Sequence, residues 1–119
     1  MRKLPRSKND LFYIINKIGF GLLRGIFRYP FFKFGSSIPI LGRNIKFLSS
    51  KKIDFGRLVV LSSNGYFDAC CQKGIKLEDG VTIREFFWIQ CRSGLNKIGK
   101  GLHIKSNTYI GPFSKIGIG

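Results

Sequence analysis

A six-residue apolar period is the feature that most constrains what this chain can fold into. Isoleucine recurs without a gap at positions 98, 104, 110 and 116. A half-buried strand would need an apolar residue at every second position, and a helix face would need spacings of three and four. A parallel β-helix explains a period of six, because each side of the prism is a short strand that points one aliphatic side chain inward. Its backbone groups pair with the coils above and below.

The same period continues upstream if short insertions are allowed. The predicted inward positions before the ungapped run are Leu41, Phe47, Phe55, Leu61, Phe67, Leu77, Ile83 and Ile89. The extra residues are placed at 71–74 and 92–97, as loops that leave a corner of the prism. The sequence therefore predicts a mainly β fold over residues 36–119, with about four turns of parallel β-helix.

Residues 1–35 form a different region, which we predict to be a basic amphipathic helix. Asn9 or Asp10 is a suitable N-cap, and Pro30 stops the helix at Tyr29. On a helical wheel the two sides separate into an apolar set, Leu11, Ile14, Ile15, Ile18, Leu22, Ile26 and Tyr29, and an opposite set that contains Lys17, Gly21, Arg24 and Arg28. This pattern is typical of a helix that lies at a membrane surface or against a protein core.

Two roles for this helix stay open, and they are compatible. Its apolar stripe can cover an end or a side of the β-helix, while Lys17, Arg24 and Arg28 meet an anionic membrane surface. Asn16 and the cations interrupt the apolar run well short of the ~20 residues that a transmembrane helix needs. A secretory signal is disfavoured as well, because no small-residue cleavage site follows.

The charge of the chain predicts an anionic partner. There are 21 Lys and Arg against 6 Asp and Glu, which gives a net charge of +15. Nucleic acid is therefore one alternative partner. It is disfavoured because the basic residues after Gly35 are spread around the hexads instead of along one face, and no zinc finger, RRM or KH signature occurs.

Three aromatic residues are predicted to form a ladder on the outside of the prism. Tyr66, Trp88 and Tyr109 each precede an inward aliphatic residue, so their rings should point outward and stack from coil to coil. A patch of this kind needs a cover. The cover is either the N-terminal helix or a neighbouring subunit, or else the ladder is a platform for a sugar or a lipid-linked acceptor.

Few residues are suited to catalysis or metal binding. Cys70, Cys71 and Cys91 show no C-x-x-C spacing, and a single histidine accompanies them, so we predict reduced thiols and no metal site. That histidine, His103, occupies the last place of its hexad and should point outward. It is the only candidate general base for transfer to a hydroxyl group, and the alternative is an exposed turn residue without a chemical role.

The repeat resembles that of the hexapeptide-repeat acyltransferases, which reads aliphatic, small or acidic, any, any, small, any. The resemblance covers residues 41–119, and the segments 42–45 and 74–83 look like bacterial acetyltransferases that modify surface polysaccharides. It implies a left-handed coil, acetyl-CoA as the acyl donor, and a homotrimer with its active site between neighbours. It also implies a sugar or lipid-linked saccharide acceptor and a cytoplasmic enzyme, peripheral on the inner membrane face.

The chain departs from that family at the catalytic residue. The family's histidine lies on a loop after several more turns and commonly follows an Asn or precedes a Pro, and neither pair contains His103 here. No catalytic or cofactor-binding residue is therefore carried over by matching. The resemblance then implies the front part of such an enzyme, incomplete at its C-terminus and inactive in isolation. The other alternative is a structural β-helix scaffold without a substrate.

Overall fold

The N-terminal helix forms in the predicted region, but Asn9 and Asp10 lie within it, so the prediction that one of them is the N-cap is wrong. The structure is a computed structural model that describes residues 8–92 and 97–118, with helix side chains described at residue 13 and from residue 15 onward. The helix, α1, spans Lys8–Arg28. A 3₁₀ turn over Tyr29–Phe31 follows it, and Pro30 within this turn cannot donate the hydrogen bond that would continue the α-helix. The side chains of Leu11 and Ile14, assigned to the apolar stripe, lie outside the described residues.

The described part of the chain continues as eleven strands of two or three residues each. They are β1 (Ile40–Leu41), β2 (Lys46–Leu48), β3 (Ile53–Phe55), β4 (Val60–Leu61), β5 (Tyr66–Asp68), β6 (Ile75–Leu77), β7 (Thr82–Ile83), β8 (Trp88–Gln90), β9 (Leu102–Ile104), β10 (Tyr109–Ile110) and β11 (Lys115–Gly117). A 3₁₀ turn, Ser50–Lys52, separates β2 from β3.

The strands stack into three parallel sheets, one for each side of a prism. The orders are β1-β4-β7-β10 for the first sheet, β2-β5-β8-β11 for the second and β3-β6-β9 for the third. Each coil thus contributes one strand to each side in turn, which confirms the predicted β-solenoid. The left-handed sense of the coil remains what the resemblance implies.

The predicted inward columns are confirmed in the first three coils and wrong by one hexad in the last. The observed columns are Leu41, Leu61, Ile83 and Ile110; Phe47, Phe67, Ile89 and Ile116; and Phe55, Leu77 and Ile104. These side chains fill the axis of the prism and form one hydrophobic core.

Ile98 is the residue that the prediction misplaced. It was expected to stack below Leu77, but Ile104 takes that place. Ile98 is 46% exposed and forms an isolated antiparallel bridge with Arg92. The cause is the insertion after Ile89, which is one hexad longer than predicted. Residues 93–96 of that insertion lie outside the described part of the chain.

The N-terminal end of the core is closed by Phe32. This ring is only 2% exposed. Its centre lies 5.2 Å from that of Phe47 and 4.8 Å from that of Phe55, and both contacts are edge-to-face. Aromatic pairs prefer this geometry, because the positive edge of one ring meets the negative face of the other. The residue that covers the open end therefore follows α1 and is not part of it.

α1 packs on the first coil through two glycines. A Cβ atom at Gly21 would lie 2.6 Å from Cγ2 of Ile40, and one at Gly25 would overlap the carbonyl oxygen of Pro39. Any side chain at these positions would push the helix away from the segment that leads into β1. The close approach of helix and strand therefore depends on glycine.

The basic side of α1 faces the solenoid. Arg24 donates a hydrogen bond of 2.9 Å from Nη1 to the carbonyl oxygen of Leu41, and the Arg28 guanidinium lies 5.6 Å from the centre of the Phe47 ring. Lys17 lines a cavity between α1 and the first coils. The expected orientation, with the apolar stripe inward and these cations outward, is therefore wrong.

The apolar side of α1 faces away from the solenoid instead. Ile15, Ile18, Leu22, Ile26 and Tyr29, the described members of the predicted stripe, are all exposed. The reason is steric, because only the glycine side lets the helix backbone come close to β1. Among the described residues, no helix combines the length and the hydropathy needed to cross a bilayer.

Candidate functional site

His103 is held in a hydrogen-bonded cluster that joins two coils. Its Nε2 atom contacts the Glu78 carboxylate through Oε2. The other carboxylate oxygen of Glu78 accepts a hydrogen bond of 2.8 Å from the Ser106 hydroxyl, and Lys105 Nζ lies 3.8 Å from Oε2. His103 is on β9 and points outward, as predicted.

The cluster keeps Glu78 ionised. Hydrogen bonds from the Ser106 hydroxyl, from His103 and from the Ser106 backbone lower its pKa below the ordinary value of 4.5, and nearby Lys105 adds to this effect. A carboxylate in this position fixes the orientation of the imidazole ring. Because Nε2 is engaged with Glu78, Nδ1 is the ring nitrogen left to accept a proton.

His103 borders a groove on the third sheet that is rich in lysine. We call it the lysine groove; its cations are Lys33, Lys52, Lys73, Lys76 and Lys100. The groove encloses about 370 Å³, and Asp54 is its only carboxylate. Such a concentration of positive charge at an open face suits a ligand with phosphate groups.

Backbone pairing places these groups together. Asp54, Lys76 and His103 are paired neighbours on β3, β6 and β9, so their side chains form one outward column. Lys73 and Lys100 occupy matching positions where successive coils enter the third sheet, since Lys73 N donates to the carbonyl oxygen of Lys100. The solenoid thus turns residues far apart in sequence into one surface.

A second candidate surface lies on the second sheet, and we call it the aromatic surface. It consists of Tyr66, Phe86, Trp88 and Phe113. The Tyr66 and Trp88 rings are stacked with their centres 4.0 Å apart, and Phe86 stacks on Phe113 at 5.1 Å. Trp88 is 46% exposed. Flat, partly exposed rings of this kind can bind the apolar face of a sugar.

The backbone at the two phenylalanines is unusual. Phe86 and Phe113 have φ values of 58° and 60°, in the left-handed region that bulky residues seldom adopt. In the two preceding coils the same corner is occupied by Asn44 and Asn64, which tolerate this conformation better. The stacked pair is therefore kept at some conformational cost, and such costs concentrate at functional positions.

The predicted ladder of Tyr66, Trp88 and Tyr109 is correct for its first two members. Tyr109 lies on the first sheet, where it pairs with Thr82, and Lys115 occupies the third place beside Trp88. This correction follows from the same one-hexad shift that moved Ile98. The predicted cover by the N-terminal helix is also wrong, because α1 packs at β1 on the first sheet.

The three cysteines are free thiols, as predicted. Cys71 and Cys91 are buried, and burial together with the hydrogen bond to Cys71 raises the pKa of Cys91 to about 12. Nearby, the buried Asp68 carboxylate accepts a hydrogen bond of 2.7 Å from Arg92 Nε and another from the Cys70 amide. This cluster ties the third coil to the second, and burial makes Cys71 and Cys91 inaccessible as nucleophiles.

Sequence reasoning missed Glu78 as the partner of His103 and missed the lysine groove. A signal for both was present. Residues 73–77 read Lys-Gly-Ile-Lys-Leu, and residues 100–104 read Lys-Gly-Leu-His-Ile. Aligning these two pentads places Lys76 beside His103 and therefore brings Glu78 close to it, as the strand pairing does.

Comparisons with protein-family models, with curated proteins and with solved structures found no match to this chain.

Proposed function

We propose that this protein is an O-acyltransferase that moves an acetyl group from acetyl-CoA to a sugar hydroxyl during the assembly of a bacterial surface polysaccharide. The observation that carries the proposal is the ordered pair of His103 and Glu78 at the edge of the lysine groove. The stacked-coil architecture and the hexapeptide resemblance supply the reaction class. The site supplies a base, its orienting carboxylate and a positively charged groove.

In this proposal His103 is the general base. Glu78 holds the ring through Nε2, and Ser106 holds Glu78 in turn. Nδ1 would take the proton of the acceptor hydroxyl as its oxygen attacks the acyl carbon, and would return that proton to the leaving thiolate. Acetyl-CoA contributes the activated acyl group in the form of a thioester.

The lysine groove is proposed to hold the phosphates of the acyl donor. Lys73, Lys76 and Lys100 are exposed, so their ammonium groups are free to reorient toward phosphate oxygens. Lys52 is less free to bind a phosphate, because its Nζ already donates a hydrogen bond of 2.8 Å to the carbonyl oxygen of Cys71. The groove therefore fits an anionic cosubstrate better than a neutral one.

The aromatic surface is proposed to receive the acceptor. Trp88 and Tyr66 offer a flat face to a saccharide, free or lipid-linked, and Lys46 and Lys115 at its border suit a phosphate-linked carrier. The groove and the aromatic surface lie on different sides of the prism, so a homotrimer that packs sides of neighbouring copies together fits this proposal. A cytoplasmic location, peripheral on the inner membrane face, agrees with a cytoplasmic donor and a lipid-linked acceptor.

The test is acetyl transfer to a panel of soluble sugars, followed by mass spectrometry of the sugar. We expect His103→Ala to lower kcat by about 10²-fold or more, and Glu78→Gln to lower it less. Lys73→Ala/Lys76→Ala should raise the KM for acetyl-CoA. The matched double variant Lys51→Ala/Arg57→Ala, which removes two cations outside the groove, should not. Transfer that survives His103→Ala would contradict the proposed base.

An inactive structural solenoid is the second candidate function. The observation that favours it is that Glu78 and Ser106 join successive coils, so the cluster can serve stability alone. A natively folded protein that acetylates no sugar, and whose thermal stability falls in Glu78→Gln, would favour the scaffold over the enzyme.

A further inference from the structure

The outward face of α1 is an extended apolar feature of the described surface for which the described residues provide no partner. We define this face by Ile15, Leu22, Leu23, Ile26 and Phe27, whose exposed fractions range from 41% to 72%. At a rise of 1.5 Å per residue the face extends over roughly 18 Å. Soluble proteins seldom leave a continuous apolar strip of this length in water.

The charged residues of this part of the helix all lie on its other side. Arg24 and Arg28 contact the first coil, and Lys17 lines the cavity between helix and solenoid. The outward face between residues 15 and 27 therefore carries apolar side chains and Gly19, and no charge. The helix is attached to the solenoid by its polar side and presents an apolar surface.

The charge around this face has one sign. Twelve of the 21 Lys and Arg residues precede Asp54, against a single acidic residue, Asp10. Phe31 and Phe34, beyond the end of the helix, are exposed on either side of Lys33, which is also exposed. Apolar rings beside cations are typical of surfaces that sit between the headgroups and acyl chains of a membrane.

From these observations we propose that the outward face of α1 binds the surface of an anionic phospholipid bilayer. The apolar side chains would enter the boundary between headgroups and acyl chains, with α1 parallel to the membrane plane. Basic residues of this region that neither contact the solenoid nor line the lysine groove would pair with lipid phosphates. The solenoid would then be held at the membrane surface by α1, which contacts it at Gly21 and Gly25.

A second copy of the chain fits this face less well. Two copies would bring two strongly cationic N-terminal regions together. Three of the six carboxylates that might compensate are already paired: Asp68 is buried beside Arg92, Glu78 contacts His103, and Glu85 is paired with Arg84 at 3.0 Å. An anionic bilayer supplies the missing negative charge as well as the apolar phase.

The proposal deepens the membrane location given above by naming the surface and its lipid partner. It rests on the helix alone and does not require acyl transfer. Vesicle binding without acetyl transfer would therefore disprove the proposed function and support the membrane-binding surface. Acetyl transfer without vesicle binding would support the proposed function and disprove the membrane-binding surface.

The test is flotation of the full chain with vesicles of phosphatidylglycerol or of phosphatidylcholine, without acetyl-CoA. We expect at least tenfold stronger binding to the anionic vesicles, because each cation near such a surface contributes appreciably (about 1 kcal/mol). Leu23→Ser/Phe27→Ser should weaken that binding about tenfold or more, since each side chain loses its transfer into the apolar phase. The matched control Leu58→Ser/Tyr109→Ser removes an exposed leucine and an exposed aromatic ring from the solenoid, away from the aromatic surface, and should bind normally.

A second measurement does not depend on a loss of binding. In a Trp88→Phe background, Phe27→Trp should shift its fluorescence emission to the blue when anionic vesicles are added. Unchanged emission, or equal vesicle binding by Leu23→Ser/Phe27→Ser and its control, would overturn the proposal. A third result would also overturn it: the parent chain forms a stable oligomer and does not bind vesicles, and Leu23→Ser/Phe27→Ser dissociates that oligomer. The outward face of α1 would then bind a second copy of the chain.

Discussion

The solenoid and α1 place their apolar residues in opposite ways. In the solenoid, one aliphatic or aromatic side chain from each strand points to the axis, and those of the first three coils are almost completely buried apart from Phe47, which is partly buried. In α1, the apolar stripe faces outward, and the contact with the rest of the chain is made by Gly21, Gly25 and two arginines. Both regions are amphipathic, but only one buries its apolar side within the described chain.

The difference shows what periodicity can and cannot decide. A period tells which residues share a face, because it reflects local backbone geometry. Which face meets a neighbour depends on how closely two backbones can approach, and in α1 glycine decides this. A hydrophobic stripe therefore indicates a buried face only when no smaller residue on the other side offers a closer contact.

Removing the ring that closes the solenoid should have the largest effect. Phe32→Ala leaves a cavity beside Phe47 and Phe55, and we expect it to lower the free energy of unfolding by about 3–5 kcal/mol. Phe34→Ala is the matched control, because Phe34 is fully exposed and should change stability by less than about 0.5 kcal/mol. Chemical denaturation measures both. Equal losses would show that Phe32 does not close the core.

A side chain at the glycine contact between α1 and the first coil should cause the next largest loss of stability. Gly25→Ala improves helix propensity, but its Cβ would overlap the Pro39 carbonyl, so we expect a net loss of about 1–3 kcal/mol. Gly19→Ala is the control on the same helix. Nothing lies within 4 Å of a Cβ there, so it should gain about 0.5–1 kcal/mol. A stabilised Gly25→Ala protein would mean that α1 does not pack through this face.

How much the sequence predicts differs between these two regions as well. The solenoid and its inward residues in three coils follow from spacing alone, and the C-terminal end of α1 follows from Pro30. The last register does not, because after a shift by a whole hexad the isoleucines at 104, 110 and 116 still point inward and only Ile98 is left out. Only the matching Lys-Gly entries at 73–74 and 100–101 distinguish the two registers. Gly74 has a φ of +77°, and a Cβ there would overlap the Lys52 carbonyl, so this corner requires glycine.

The candidate site was predictable only in part, for the same physical reason. His103 was identified because it is the single histidine of the chain. Its partner Glu78 lies 25 positions away and comes into reach only in the correct register. The lysine groove likewise combines three coils, and no local pattern shows that Lys52, Lys73 and Lys100 share a face. Pairing between coils decides such sites, and periodicity within a coil does not.

A smaller loss of stability should distinguish Trp88, which stacks on Tyr66, from Tyr109, which the sequence analysis wrongly assigned to the same ladder. Trp88→Ala removes the contact with Tyr66, and we expect a loss of about 1 kcal/mol. Tyr109→Ala should cost less than about 0.5 kcal/mol, because that residue is 62% exposed and lies on another sheet. Thermal unfolding compares the two. If both variants lost the same stability, the ladder would have its predicted third member after all.

The smallest effect concerns Glu78 on the outside of the solenoid, where contacts between coils are exposed. Its pKa is lowered in the folded state, so its stabilising contribution is present above its ordinary value of 4.5 and is lost as the pH falls through the lowered folded value. Glu78→Gln should therefore reduce the pH dependence of the melting temperature in this acidic range. Near neutrality the pH dependence of the melting temperature should be the same in both proteins. Because the Ser106 hydroxyl is the largest cause of the shift, Ser106→Ala should raise the pKa of Glu78 more than His103→Ala does. Carboxyl titration by NMR distinguishes the two variants, and the opposite ranking would show that the imidazole, rather than the link between coils, keeps this carboxylate ionised.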